Sequence, residues 1–171
     1  MRIGLLSDTH GSYTQTKKAL EALESLGTCD MIIHLGDVLY HGPRNPVHGT
    51  YEPARLADYL KDKEMTYIRG NCDADVDAMV IGKDLDKEEG LFKLGPLVLY
   101  CVHGYKDSLE DRIQKARNLG ANTLCFGHSH VKMLEERDGL TIVNPGSTTL
   151  PKDKTPSCAL YDQGQWTLIE L

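Results

Sequence analysis

Arg2-Ile3-Gly4-Leu5-Leu6-Ser7-Asp8-Thr9-His10 is a short apolar run that ends abruptly in a carboxylate and an imidazole two residues apart. The same arrangement returns four times along the chain. Met31-Ile32-Ile33-His34-Leu35 runs into Gly36-Asp37, Thr66-Tyr67-Ile68 into Gly70-Asn71-Cys72-Asp73, Leu97 to Val102 into His103-Gly104, and Thr123 to Phe126 into Gly127-His128-Ser129-His130. Each run has the length and residue types of a strand, and each is followed by a hard metal ligand. Ligands at the carboxyl ends of strands gather at one edge of a sheet, where open α/β folds place their active sites.

The intervening segments fill in the architecture. Tyr13 to Gly27 carries Ala19, Leu20, Leu23 and Leu26 at helical spacing and closes on a glycine. Residues 40–53 hold three prolines and two glycines and are expected to form a long loop, with a helix following from Ala54 to Lys61. The first half therefore alternates strand and helix, which predicts a parallel sheet. The second half changes character. Leu91 to Leu94 and Leu97 to Val102 flank Gly95-Pro96 as a hairpin, and Leu109 to Leu119 reads as a helix stopped by Gly120. After Phe126 the pattern is β: Val131 to Arg137, Leu140 to Asn144, Ala159 to Asp162 and Gln165 to Leu171, joined by turns at Asp138-Gly139 and Gln163-Gly164. Crossovers followed by hairpins predict two packed sheets with helices outside.

Bulk properties narrow the functional classes. At 171 residues the chain suits one well-buried core and is short for two domains, so residues 1–171 are expected to form a single domain. A net charge of −6 leaves no sequence-independent attraction for a nucleic acid backbone, so no stable nucleic acid partner is expected. No apolar stretch approaches the ~20 residues of a membrane helix. Met1 to Leu6 has no resemblance to a signal peptide, and the five cysteines form no CxxC pair. The expectation is a reduced, cytoplasmic protein with no membrane association.

As candidate ligands the motifs offer Asp8, Asp37, Asn71 and the four histidines His10, His103, His128 and His130. Asp8 and His10 are two apart, so an extended segment would aim both at one cation, and His128 and His130 share that spacing. Asp37 offers two oxygens and a charge to bridge two ions, and Asn71 a neutral carbonyl. Mixed carboxylate and imidazole ligation suits Mn²⁺, Fe²⁺, Co²⁺ or Zn²⁺ better than the all-oxygen shells of Ca²⁺ or Mg²⁺. Two such ions ~3.5–4 Å apart lower the pKa of a bridging water from ~15.7 towards ~7, giving a hydroxide able to attack phosphorus. The residues thus read as a binuclear metallohydrolase acting on phosphate esters. His34 lies inside an apolar run and reads as a core histidine.

In order and spacing these motifs resemble the D-x-H, G-D, G-N-H-[DE], H and G-H-x-H pattern of the calcineurin-like metallophosphoesterase superfamily, over Arg2 to about Pro151. Gly70-Asn71-Cys72-Asp73, His41-Gly42-Pro43-Arg44-Asn45 and Asn144-Pro145-Gly146-Ser147 are similar to the small bacterial and archaeal YfcE-type phosphodiesterases. The resemblance implies a four-layer αββα sandwich of two mixed sheets flanked by helices. It also implies hydrolysis of phosphodiester bonds, commonly with Mn²⁺, though Zn²⁺, Fe²⁺, Co²⁺ or Ni²⁺ would also serve. Carried over residue by residue, Asp8, His10 and His130 would bind one metal, and Asn71, His103 and His128 the other, with Asp37 bridging. Asp37, Asn71, Cys72 and His103 would be the catalytic group, acting on small organic or nucleotide-derived diesters through the metal-bridging hydroxide.

Cys72 departs from the pattern, because most of the superfamily has a histidine after the Asn. A thiol is a poorer general acid than imidazolium at neutral pH, which favours diesters with good leaving groups over alkyl monoesters. Its bland reading is a small residue filling space beside the metals. The loop from Leu39 to Tyr51 is expected to overhang the site, with Arg44, Asn45 and His41 as substrate contacts. For Arg44 a loop-holding ion pair competes equally with phosphate binding. Asn144 to Ser147 reads as a turn supporting the metal edge. A phosphomonoesterase, a nuclease and a non-catalytic scaffold like the retromer subunit of the same fold are the alternative readings, and a homodimer or homotetramer is expected by similarity.

Overall fold

The computed structural model describes residues 1–171. Ten strands and four helices follow one another as β1 (Arg2–Leu6), α1 (Tyr13–Ser25), β2 (Met31–His34), α2 (Pro53–Lys61), β3 (Thr66–Tyr67), α3 (Asp75–Ile81), β4 (Glu89–Leu94), β5 (Leu97–Val102), α4 (Leu109–Asn118), β6 (Thr123–Phe126), β7 (Lys132–Arg137), β8 (Leu140–Pro145), β9 (Ser157–Asp162) and β10 (Gln165–Glu170). They form two five-stranded sheets, ordered β10-β9-β1-β2-β3 and β4-β5-β6-β8-β7. In the first, β1, β2 and β3 run parallel and β9 and β10 antiparallel. In the second, β5, β6 and β8 are parallel, and β4 and β7 are hairpin partners at the edges.

Period-two alternation decides what each strand face meets. Ile3, Leu5, Ile33 and Leu35 of the first sheet bury themselves against Leu97, Leu99, Cys101, Cys125 and Val143 of the second. The opposite faces take the helices: Leu6 packs with Ala19, Leu20 and Leu23 of α1, while Tyr100, Val102, Leu124 and Phe126 pack with Ile113 and Ala116 of α4. The layers are therefore helix, sheet, sheet, helix, as the motif resemblance implied. Cys101 and Cys125 are buried apolar fillers between the sheets.

Helix α1 starts where the Ser12 side chain accepts from the Gln15 N–H at 3.3 Å, and α4 where Ser108 and Asp111 cap each other. The one element absent from the sequence reading is α3. Its Val76, Met79 and Val80 are exposed, so it shows no apolar stripe, and it is held instead by the Asp77 carboxylate accepting from the Ala74 N–H and by Gly82 in the left-handed conformation.

Leu99 is fully buried between the sheets. Leu99→Ala is expected to destabilise the protein by about 2–5 kcal/mol in urea unfolding. A loss below about 1 kcal/mol would mean the sheets do not interlock at this layer.

Candidate metal centre

The carboxyl ends of β1, β2, β3, β5 and β6 all reach the same edge of the sandwich, and the five ligand motifs follow them directly. The first loop does not continue as a strand. Asp8 and His10 have φ of 54° and 43°, and His128 and His130 have 62° and 59°, all left-handed. The extended geometry expected for both pairs is thus corrected: the chain turns over the sheet edge, and left-handed backbone, not strand alternation, brings each pair inward. Hydrogen bonds between loops hold the turn, from Asp8 N to Gly36 O, His10 N to Asp37 O and Gly127 N to His103 O, each at 3.0 Å. Asp37 shares the conformation at φ 59°. Gly36 and Gly70 approach so closely that a Cβ on Gly36 would lie 2.6 Å from the Gly70 nitrogen, and one on Gly70 would collide with the Asp37 carboxylate.

The donor atoms form three overlapping groups, two outer ones and, between them, His10, Asp37 and Cys72. Asp8, His10 and His130 make one outer group, with His130 Nε2 3.2 Å from Asp8 Oδ1. Asp37, His103 and His128 make the other, with His103 Nε2 3.3 Å from Asp37 Oδ2. His10 Nε2 also lies 3.9 Å from Asp37 Oδ2. Asn71 and Cys72 line the same cleft, and the Cys72 N–H donates to Asp37 Oδ1 at 2.8 Å. Three of the four histidines donate Nδ1–H to a backbone carbonyl: His10 to Tyr40, His103 to Leu35 and His130 to Leu150, at 2.7–2.8 Å. A carbonyl can only accept, so the proton is fixed on Nδ1 and the Nε2 lone pair points into the centre.

This donor set fits divalent cations. Asp8 Oδ1 and His103 Nε2 are buried with no hydrogen-bond partner, and His10 Nε2 faces His130 Nε2 at 3.2 Å. Opposed lone pairs beside two buried carboxylates need positive charge between them. Protons supply some of it in the metal-free protein. Burial alone would lower the pKa of His103, but the Asp37 carboxylate 3.3 Å away and the charge of Asp8 push it up to about 9. His130 is raised in the same way, against burial, chiefly by the Asp8 carboxylate 3.2 Å away. Asp8 is lowered although burial acts to raise it, because His130, His103 and His10 surround it.

His34 is a satisfied core histidine, as its apolar setting suggested. Its Nδ1 accepts from the Gly36 N–H at 3.1 Å, its Nε2 meets Thr9 Oγ1 at 3.0 Å, and burial lowers its pKa to about 3. Arg44 and Asn45 line the cleft of about 490 Å³. Arg44 is exposed and in no ion pair, while the Asn45 amide donates to the His41 carbonyl at 2.8 Å. The His41 ring is instead packed between Tyr40 and Tyr51 and is not part of the cleft wall. Asn144 donates to Gly127 O and Ser129 Oγ, and Ser147 Oγ donates to Asp8 O, so this turn buttresses the ligand loops.

Sequence reasoning missed two residues here. Asp73 accepts from the N–H groups of Asp37, Val38 and Gly70 at 2.7–2.9 Å and fixes two ligand loops. It was legible as the acidic end of Gly70-Asn71-Cys72-Asp73 but no role follows from spacing. Lys152 lines the cleft and donates its N–H to His130 O at 2.9 Å, with only its place after the Asn144 turn as a signal.

Known proteins identify the family to which this fold belongs. Residues 1–165 match the calcineurin-like phosphoesterase superfamily domain. The chain is 33% identical to phosphodiesterase YfcE of Escherichia coli K12, covering 100% of this chain and 92% of that protein. It is 29% identical to the probable metallophosphoesterase YsnB of Bacillus subtilis, covering 89% of this chain and 78% of that one. The solved structure of YfcE, a phosphoesterase from E. coli, superimposes with a TM-score of 0.83 at 30% identity, over 95% of this chain and 89% of that one. Vacuolar Protein Sorting 29 from Cryptosporidium parvum shares the fold, with a TM-score of 0.67 at 18% identity over 99% of this chain and 96% of that one. The chain belongs to the calcineurin-like phosphoesterase superfamily, a family of metal-dependent hydrolases. No helix is long and apolar enough to cross a membrane.

The raised histidines set a pH dependence. Unfolded histidines release their protons near pH ~6.5, whereas folded His103 holds its own to about 9. The stability this contributes is complete below ~6.5 and is lost as pH rises through about 9. The chelated protein is therefore expected to lose thermal stability across that window and the metal-loaded protein to lose much less. A flat melting temperature in the chelated protein over this range would contradict proton storage at His103.

Proposed function

We propose that this superfamily member is a binuclear metal-dependent phosphodiesterase acting on small organic or nucleotide-derived diesters, with Mn²⁺ as the preferred metal. The observation that carries the binuclear reading is the pair of outer donor groups linked through His10 and Asp37, with Cys72 beside that link. Asp8, His10 and His130 would hold one cation, and Asn71, His103 and His128 the other, with Asp37 serving both. When bound, such a pair neutralises the phosphate oxygens and acidifies a water to the point where it can attack phosphorus near neutral pH.

The chain's own residues supply orientation and selectivity. Tyr40 O, Leu35 O and Leu150 O lock the imidazoles, and Asp73 holds the Asp37 and Gly70 backbone. Arg44 stands at the cleft mouth with its planar fork free for a phosphate oxygen or a second acidic group of the substrate. Asn45 would shape the loop that carries Arg44, and His41 would support that loop by packing against Tyr40 and Tyr51.

Cys72 supports the diester preference. In the metal-free chain burial, with the charge of Asp37 next, raises the thiol pKa, and a thiol is a poorer general acid at neutral pH than the imidazolium most of the superfamily carries there. Substrates whose leaving oxygen departs without strong protonation fit such a site. That E. coli YfcE is named a phosphodiesterase supports the same reading. A scaffold role is not favoured, because every ligand position of the family pattern carries a competent residue. We place the protein in the cytoplasm on its free cysteines and the absence of a membrane-length helix.

The test is hydrolysis of a chromogenic aryl diester beside its matching monoester, after chelation and reloading with Mn²⁺, Mg²⁺ or Zn²⁺. Diester turnover should return best with Mn²⁺, exceed monoester turnover, and fall by at least ~10³-fold in Asp37→Ala. Cys72→His should raise turnover of the monoester by roughly 10-fold or more. Monoester preference in the native chain, or a Cys72→His variant unchanged on every substrate, would overturn the diester assignment.

A further inference from the structure

Behind His103, on the α4 side of the second sheet, lies a second cavity of about 230 Å³. Its floor is built around Arg112, which is only 8% exposed. The guanidinium packs over the Phe126 ring, 4.5 Å from its centroid, and Nη1 donates to Gly104 O at 2.6 Å. That is its one hydrogen bond. Nε is buried without a partner, and the remaining N–H groups of the fork are unspent. Buried charges in native proteins are paired, and a buried cation with a single neutral acceptor points to an anion that completes it.

The surroundings are made for this placement. Gly104 has φ 99°, and a Cβ there would collide with Arg112 Nη1, so the glycine is what admits the guanidinium against the backbone. The other charged groups of the cavity are largely settled among themselves. Glu88 pairs with Lys106 and Glu89 with Lys115, each at 2.5 Å, and Glu89 also accepts from Tyr100 at 2.8 Å. Asp107 is exposed on the rim and in no ion pair; it is the one carboxylate of the chain whose charge bears on Arg112, and it does so without a hydrogen bond. Lys106 and Lys115 are half-exposed, so their pairs are weak and either ammonium can turn to an incoming oxyanion.

We infer that this cavity is a binding site for a small oxyanion, phosphate or a carboxylate, held by the Arg112 fork with Lys106 and Lys115 at its mouth. The site shares the segment His103-Gly104-Tyr105 with the metal centre, and Tyr105 packs against the rings of both His103 and His128. Occupancy therefore bears on the loop that carries one metal ligand. The site does not depend on the phosphodiesterase reading, since it needs neither metals nor turnover.

Calorimetric titration with inorganic phosphate and, separately, malonate tests it, using metal-loaded and chelated protein. Loaded wild type should show phosphate binding both at the metal centre and at Arg112, and the chelated protein the Arg112 site alone. Arg112→Met should abolish the site that survives chelation and should melt no lower than wild type in anion-free buffer, because an uncompensated buried charge has gone. Arg112→Lys, which keeps the charge but not the fork, should weaken binding about 10-fold or more. Preference for phosphate over malonate, or the reverse, identifies the oxyanion geometry. The inference fails if neither anion binds the chelated wild type, or if binding is unchanged in Arg112→Met. Should Arg112→Met not fold, unchanged affinity in Arg112→Lys overturns it equally.

Discussion

Two buried carboxylates, Asp8 and Asp37, lie at the seam where the two sheets meet, and the surrounding structure is arranged to tolerate them. Like charges out of water cost several kcal/mol each unless positive charge stands close by. No lysine or arginine reaches them; histidines do. His10, His103 and His130 bring Nε2 within 3.2–3.9 Å of a carboxylate oxygen. An imidazole can present a proton or a lone pair, so the same atoms balance the carboxylates with protons or with cations. The Nδ1–carbonyl bonds leave the rings nothing else to do.

The geometry has a backbone cost. Eight non-glycine residues have positive φ, and five of them are Asp8, His10, Asp37, His128 and His130. Each left-handed residue costs on the order of 1–3 kcal/mol, so the strain is concentrated at the ligands. What holds it is a set of short polar contacts that release no other conformation. Asp73 ties three backbone N–H groups of two loops, Asn144 spans Gly127 and Ser129, and Ser147 fastens the Asp8 carbonyl. Below them the apolar layer between the sheets supplies the stability that offsets the strain.

Much of this was legible in the sequence because apolar runs ending in hard ligands report both a strand and what it carries. Thr123 to Phe126 and the Gly95-Pro96 hairpin fall where residue type and turn chemistry place them. Helix α3 was not legible, since a seven-residue helix with exposed valines and a methionine has no periodic face. Spacing also misjudged the ligand loops. An i, i+2 pair suggests an extended chain, but a chain that must leave a sheet edge and return its side chains to that edge has to reverse hand. His41 looked like a cleft residue because its neighbours are; only the packing of Tyr40 and Tyr51 shows that its ring turns away. Arg112 was invisible for a different reason, because nothing in Leu109 to Leu119 reveals that one cation of a polar helix faces inward.

The two sheets contribute to the centre in different parts. Asp8, His10, Asp37 and Asn71 follow strands of the first sheet, and His103, His128 and His130 follow strands of the second. Each outer cluster draws on both: His130 joins Asp8 and His10, and His103 and His128 join Asp37. A cation held by either cluster therefore fastens one sheet to the other at the edge where the loops are most strained. Ligands that bind only the folded state add RT ln(1 + [L]/Kd), about 2.7 kcal/mol at 100 times Kd for each site. Two sites at that occupancy would match the strain of several left-handed residues. On the proposed assignment, cations bound there would fasten the sandwich as well as serve its chemistry, and would offset strain that the metal-free loops carry alone.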